Sequence, residues 1–155
     1  MKTRPALSMI LVLVLVGVVV ALSGCTALQG TTSQNGNSSL NSAIRDISPQ
    51  EASALIQQNI NSDQLVILDV RTQSEFQTEH INGAINRDVN AGVFRDQMKS
   101  KGMDMSKTYL VYCQSGTRST TAAKIMQDLG YTQIYNMKGG IGKWKDAGYP
   151  TVVGQ

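Results

Sequence analysis

Two stretches of this chain, Leu65–Val70 (LVILDV) and Thr108–Cys113 (TYLVYC), are apolar almost from end to end. A strand with one wet face alternates apolar and polar residues, whereas a strand covered on both faces is free of that constraint. Unbroken apolar runs this short therefore mark strands buried between two layers. Helix signals surround them. Ser48, Pro49 and Glu51 supply an N-cap, a first-turn proline and a capping-box acid, and Ala52, Leu55, Ile56 and Ile60 then share one face. Thr72 and Glu75 form a second capping box ahead of a short helix in TQSEF. VFRDQMKS reads as a helix, and STTAAKIMQDLG stripes Ala122, Ile125, Met126 and Leu129 on one side before ending at Gly130. Three more segments, IRDIS, GAINRDV and TQIYNM, read as strands, and IGKWKDAG as a last helix. Strand and helix alternating in this way predict one α/β domain, residues 44–155, with a mainly parallel sheet flanked by helices on both faces.

The first 43 residues have a different character. MKTRP carries positive charge, Met9–Leu22 is an unbroken apolar run, and small residues follow. A charged start, a short apolar centre and a small-residue exit describe a secretory signal. The apolar run is short against the roughly 20 residues of a membrane-spanning helix, although counted from Ala6 with one serine tolerated it approaches the lower limit, and an uncleaved signal anchor is the alternative. The residues Leu22-Ser23-Gly24-Cys25 resemble the lipobox of prokaryotic lipoproteins. That resemblance implies removal of residues 1–24, lipid on the Cys25 thiol, and a protein held outside the cytoplasm, at the cell surface or in the periplasm, by a membrane anchor. Gln29–Ser42 is almost wholly small and polar. It offers too little apolar surface to offset chain entropy, so residues 25–43 are expected to form a flexible tether.

Composition removes several function classes. The net charge of +3 comes partly from Lys2 and Arg4; without them 14 basic residues become 12 against 11 acidic. There is no basic run with interleaved aromatics, and nucleic-acid binding is not expected. Two cysteines and one histidine are too few for a zinc site.

Cys113 ends its apolar strand, and the carboxyl ends of parallel strands are where ligands bind in open sheets. As a residue type, a strand-end cysteine is compatible with packing, metal ligation, a disulfide or nucleophilic chemistry. The residues after it narrow the choice. Gln114, Ser115, Gly116 and Thr117 form a loop leading to a helix opened by Ser119 and Thr120. Unpaired amides and the helix dipole at such a point favour negative charge, which lowers a thiol below its free value of about 8.5 and lets the loop cradle an anion. Gly116 permits a left-handed turn, and Arg118 supplies a planar fork of donors for an oxyanion.

Read together, CQSGTRS, the upstream LDVRTQSEFQTEHINGAIN and the downstream NMKGGIGKWKDAGYP resemble the three motifs of the rhodanese family of sulfurtransferases, in order, over residues 45–152. The resemblance implies a five-stranded sheet and a cysteine that takes the outer sulfur of thiosulfate, or a similar donor, as a persulfide and passes it to cyanide or a thiol. It implies no separate cofactor and a monomer acting on small molecules. On this chain the nucleophile is Cys113. The amides from Gln114 to Ser119 hold the persulfide and the departing sulfite, and Arg118 steadies the anionic donor. Asp69 and Arg71 are supports of the neighbouring loops; the alternative for them is a structural ion pair with Glu75 among the partners. His80 packs in a turn against INGA, and Trp144 anchors the core.

Cysteine phosphatases and some arsenate reductases share the cysteine, amide cradle and arginine. Their loop is one residue longer and makes room for a tetrahedral phosphate. Here four residues separate Cys113 from Arg118, and Tyr112 stands where many phosphatases carry a histidine. The count favours a transferred sulfur atom. A persulfide carrier or sensor without turnover needs the same cysteine. With Cys25 lipidated, Cys113 has no internal disulfide partner and is exposed to oxidation outside the cytoplasm.

Overall fold

A computed structural model describes residues 42–154. The signal, lipidation and tether assignments, Cys25 included, lie outside the described residues. The order of elements is β1 (Ile44–Ile47), α1 (Pro49–Gln58), β2 (Leu65–Asp69), α2 (Gln73–Thr78), β3 (Ala84–Asn86), α3 (Phe94–Met98), β4 (Thr108–Tyr112), α4 (Thr117–Asp128), β5 (Ile134–Met137) and α5 (Gly140–Asp146). The five strands form one sheet in the order β1-β5-β4-β2-β3, and every neighbouring pair is parallel.

The two apolar runs are β2 and β4, two of the three inner strands, paired from Leu65 opposite Thr108 to Asp69 opposite Tyr112. Successive side chains point to opposite faces. Leu68, Val70, Tyr109, Val111 and Cys113 join Phe94, Met98, Ala122 and Met126 on the α3–α4 side. Ile67, Leu110 and Tyr112 join Ala52, Ile141 and Trp144 on the α1–α5 side. Each layer thus consumes one parity of the same strands, which is why these strands show no alternation of polarity.

Both expected capping boxes are made. The Ser48 and Thr72 side chains accept from the amides of Glu51 and Glu75, whose carboxylates accept from the cap amides in return. Two boundaries differ from expectation. Helix α1 stops at Gln58, where the Asn59 side chain donates to the Leu55 carbonyl at 2.8 Å, so Ile60 falls beyond the apolar face and is 76% exposed. Helix α4 opens earlier than expected, at Thr117, because Gly116 takes a left-handed φ of 104° and turns the chain directly out of the cysteine loop. Arg118 and Ser119 therefore belong to the first turn of the helix.

Candidate active site

The site lies at the carboxyl edge of the sheet, where β4 ends and α4 begins. Cys113 is 1% exposed and sits in the core layer against α4. The Gly116 amide donates to its Sγ at 3.1 Å. Burial pushes the thiol pKa up. The amide and hydroxyl of Ser119, with the amides of Gly116 and Ser115, stabilise the thiolate and outweigh burial, so the pKa lies below the ordinary thiol value. The Ser119 hydroxyl also donates to the Gly116 carbonyl at 3.0 Å. Its single proton serves either that carbonyl or the sulfur, and charge on the sulfur decides which.

Gln114, Ser115 and Thr117 are exposed on the outside of the loop, while Gly116 and Ser119 face inward. The loop backbone is held by α5, a contact that no local pattern in the sequence announces. Ile141 donates its amide to the Cys113 carbonyl at 2.8 Å and Gly142 donates to the Gln114 carbonyl at 3.1 Å. Gly140, at φ 59°, lies so close that a Cβ there would come within 2.2 Å of the Cys113 carbonyl oxygen. A Cβ on Gly116 would meet the Gly139 amide at 3.3 Å. The pair Gly139-Gly140 is thus part of the site. Its sequence signals are two adjacent glycines directly after a strand and their place in the downstream family motif NMKGGIGKWKDAGYP.

Arg118 points its guanidinium at Glu75, with Nη1 and Nη2 donating to the two carboxylate oxygens at 2.8 and 2.7 Å. The pair holds the Glu75 carboxyl down at about pKa 2, chiefly through the hydrogen bonds from Arg118. Glu75 in turn raises the Arg118 pKa, to which the nearby charge of Cys113 adds. Glu75 also closes the α2 capping box, so one carboxylate ties the start of α2 to the start of α4.

Asp69 and Arg71 are fully buried and pair with each other, not with Glu75: Arg71 Nη2 meets Asp69 Oδ2 at 2.7 Å and donates to the Glu79 carbonyl at 2.6 Å. The expected Glu75 partnership is corrected on this point, because Glu75 is turned outward by its cap and taken by Arg118. Asn86 donates to the carbonyls of Asp69 and Arg71 at 3.1 and 2.8 Å, knitting the end of β2 to β3. His80 stacks on Phe76 with ring centroids 3.9 Å apart, its Nδ1 lies 2.9 Å from the Phe76 carbonyl, and its backbone pairs with Val152. Trp144 is buried and donates to the Pro150 carbonyl at 2.9 Å. Among the described residues no cluster of His, Cys, Asp or Glu could hold a metal ion.

A family model for the rhodanese-like domain matches residues 49–147, from the first turn of α1 to the end of α5. The chain belongs to the rhodanese-like family. It is 33% identical over 107 residues to the thiosulfate sulfurtransferase GlpE of Coxiella burnetii, covering 69% of this chain and 92% of that one. It is 34% identical over 101 residues to an uncharacterized protein of Synechocystis, covering 65% of this chain and 54% of the other, so it spans about half of that relative's length. Among solved structures, a protein of unknown function from Rhodopseudomonas palustris, described as a possible tyrosine phosphatase, aligns at TM-score 0.60 and 30% identity over 72% of this chain and 87% of the other.

Proposed function

We propose that this rhodanese-like chain is an extracytoplasmic thiosulfate sulfurtransferase that works through a persulfide on Cys113. The Cys113 thiolate attacks the outer sulfur of thiosulfate, the S–S bond of the donor breaks, and sulfite leaves with the bonding electrons. The persulfide so formed sits where the amides of Ser115, Gly116 and Ser119 converge. Those donors are fixed before the reaction and stabilise developing negative charge without reorganising. No general base is needed at the sulfur, since the same amides already favour the thiolate. Arg118, with its fork held by Glu75, acts as a positioning residue that pins the start of α4, and the amides take the larger part in holding the anionic donor.

The observation that carries this reading is the size of the cradle. Gly116, three residues beyond Cys113, already donates to Sγ at 3.1 Å and already caps the helix. A loop closed so tightly on one atom suits a single sulfur. The likeness to a possible tyrosine phosphatase supports a second reading, phosphate-ester hydrolysis, against which the short loop and Tyr112 both stand. Thiocyanate formation from thiosulfate and cyanide, assayed beside hydrolysis of p-nitrophenyl phosphate, separates the two. Turnover of the first, absent in Cys113→Ser, is expected; robust hydrolysis without sulfur transfer would reverse the assignment. A stable persulfide with no turnover would make the protein a carrier.

The extracytoplasmic setting rests on Leu22-Ser23-Gly24-Cys25. Labelled palmitate fed to expressing bacteria should enter the wild type and not Cys25→Ser; equal label in both would remove the anchor from the account.

A further inference from the structure

Three donors converge on one oxygen at the start of α4. The Gly116 carbonyl accepts from the Thr120 amide at 3.0 Å, from the Thr120 hydroxyl at 2.8 Å and from the Ser119 hydroxyl at 3.0 Å. A carbonyl oxygen has two lone pairs, so one of the three donors is surplus. The amide of the same residue faces the chemistry, donating to Cys113 Sγ at 3.1 Å.

The two hydroxyls differ in what stands behind them. Asn136, on β5, is 3% exposed. Its Nδ2 donates to Asp46 Oδ1 at 2.8 Å and to Thr120 Oγ1 at 3.3 Å, and its Oδ1 accepts from no group. A carboxylate only accepts, so the bond to Asp46 fixes which end of the Asn136 amide is nitrogen. The second proton of that nitrogen meets a lone pair of Thr120 Oγ1, which leaves the Thr120 hydroxyl to give its own proton onward to Gly116. The unpaired Oδ1 is a buried group left over by this orientation. Thr120 is therefore committed to the carbonyl. Ser119 is not, because its hydroxyl also reaches the sulfur. Thr121 shows the ordinary case, a helix-surface bond from its hydroxyl back to the Thr117 carbonyl at 3.4 Å.

We propose that Thr120, oriented by Asn136, is a positioning residue for Cys113: it satisfies the Gly116 carbonyl and so frees the Ser119 hydroxyl to turn to the charged sulfur. The proposal deepens the reading of Cys113 as the nucleophile and rests on it. When the thiol gives its proton to solvent, the Ser119 hydroxyl rotates from the carbonyl to Sγ, and the carbonyl keeps both Thr120 donors. Without the Thr120 hydroxyl, the same rotation would leave a lone pair of the carbonyl empty, at a cost comparable to the bond gained at the sulfur.

The charges around the loop are Arg118 with Glu75 and Asp88 near it, the buried Asp69–Arg71 pair at the end of β2, Lys143 over Gly139, and Asp46 with Lys138 on the side of β1 and β5. Thr120→Val alters none of them, so it isolates the hydroxyl. The test titrates the full chain carrying Cys25→Ser, in which Cys113 is the single cysteine, by ultraviolet thiolate absorbance. Thr120→Val should lower the thiolate fraction about threefold at a pH below the Cys113 pKa. Thr120→Ser, which keeps the hydroxyl, should restore it, and Thr121→Val should leave it in place. In a Ser119→Ala background Thr120→Val should add nothing, since the hydroxyl it releases is gone. An unmoved titration in Thr120→Val, an equal shift in Thr121→Val, or a full further shift on top of Ser119→Ala would overturn the proposal. The titration needs no turnover, so a wild type without sulfur transfer would remove the enzymatic reading and leave this result to stand by itself.

Discussion

The neighbouring inner strands β2 and β4 end side by side in segments that each carry an arginine, and the two segments are held in opposite ways. The end of β2 is stitched by side chains: Arg71 to Asp69 and Glu79, Asn86 to two carbonyls, Thr72 to Glu75. The end of β4 is stitched by backbone: Ile141 and Gly142 donate to the carbonyls of Cys113 and Gln114, and glycines at 116, 139 and 140 allow the approach. Side-chain stitching uses up polar groups and leaves nothing for a substrate. Backbone stitching uses only the outward carbonyls of the β4 loop, and the amides of Ser115, Gly116 and Ser119 stay free to face the sulfur. The adjacent loops thus divide the work into support and chemistry.

If that division is right, mutations in the two loops should fail differently. The largest stability loss belongs to the support side. Arg71→Leu leaves Asp69 buried and uncompensated, and should cost about 3–5 kcal/mol of folding stability in urea titration, whereas an Asp69→Leu/Arg71→Leu double variant should recover a substantial part. The folded fraction should keep its activity per molecule. Gly140→Ala comes next, at about 1–3 kcal/mol, because its Cβ meets the backbone of Cys113 and Gln114 rather than a yielding side chain. Here activity should suffer more than stability, by about 100-fold in kcat/KM, since the carbonyl it displaces belongs to the proposed nucleophile.

The Glu75–Arg118 pair bridges the two loops, so its loss should be intermediate in kind. Glu75→Gln should change stability by under about 1 kcal/mol, the pair being partly exposed, yet loosen the start of α4 and lower kcat/KM by about tenfold. Because Glu75 is held at about pKa 2, this contribution is complete above pH 4.5 and is lost only as pH falls toward about 2, so the wild-type profile should show no Glu75 limb in the neutral range. The smallest effect is a displacement of the pH profile. On the proposed mechanism activity needs the thiolate and falls as pH drops through the Cys113 pKa, which the cradle depresses. Ser119→Ala removes the hydroxyl but keeps the amide, so the acidic limb should move upward, with little change at high pH. An unmoved limb would mean that backbone amides alone set the thiolate.

Much of this was legible in the chain. The unbroken apolarity of LVILDV and TYLVYC follows from burial on both faces. The capping boxes at Ser48 and Thr72 are local hydrogen-bonding patterns, complete within a few residues. Gly116 announced its left-handed turn because nothing else adopts it so readily. What escaped was long-range. Gly140 meets Cys113 only because β5 pairs beside β4, and no local pattern encodes that neighbour. Glu75 reads as a cap and as an ion-pair partner of the nearby Arg71, and only the fold shows that its partner is Arg118, 43 residues away. Arg71 and Arg118 look alike as residues in loops. Only burial separates a structural arginine whose bonds all turn inward from one at the mouth of the site.

The central claim is that one sulfur atom moves through Cys113. Intact-mass spectrometry of the reduced protein after incubation with thiosulfate tests it most directly. The account predicts a gain of the mass of one sulfur atom on the wild type, removed by cyanide with release of thiocyanate, and no gain on Cys113→Ser. A wild type that gains no sulfur, or a Cys113→Ser variant that gains it equally, would contradict it.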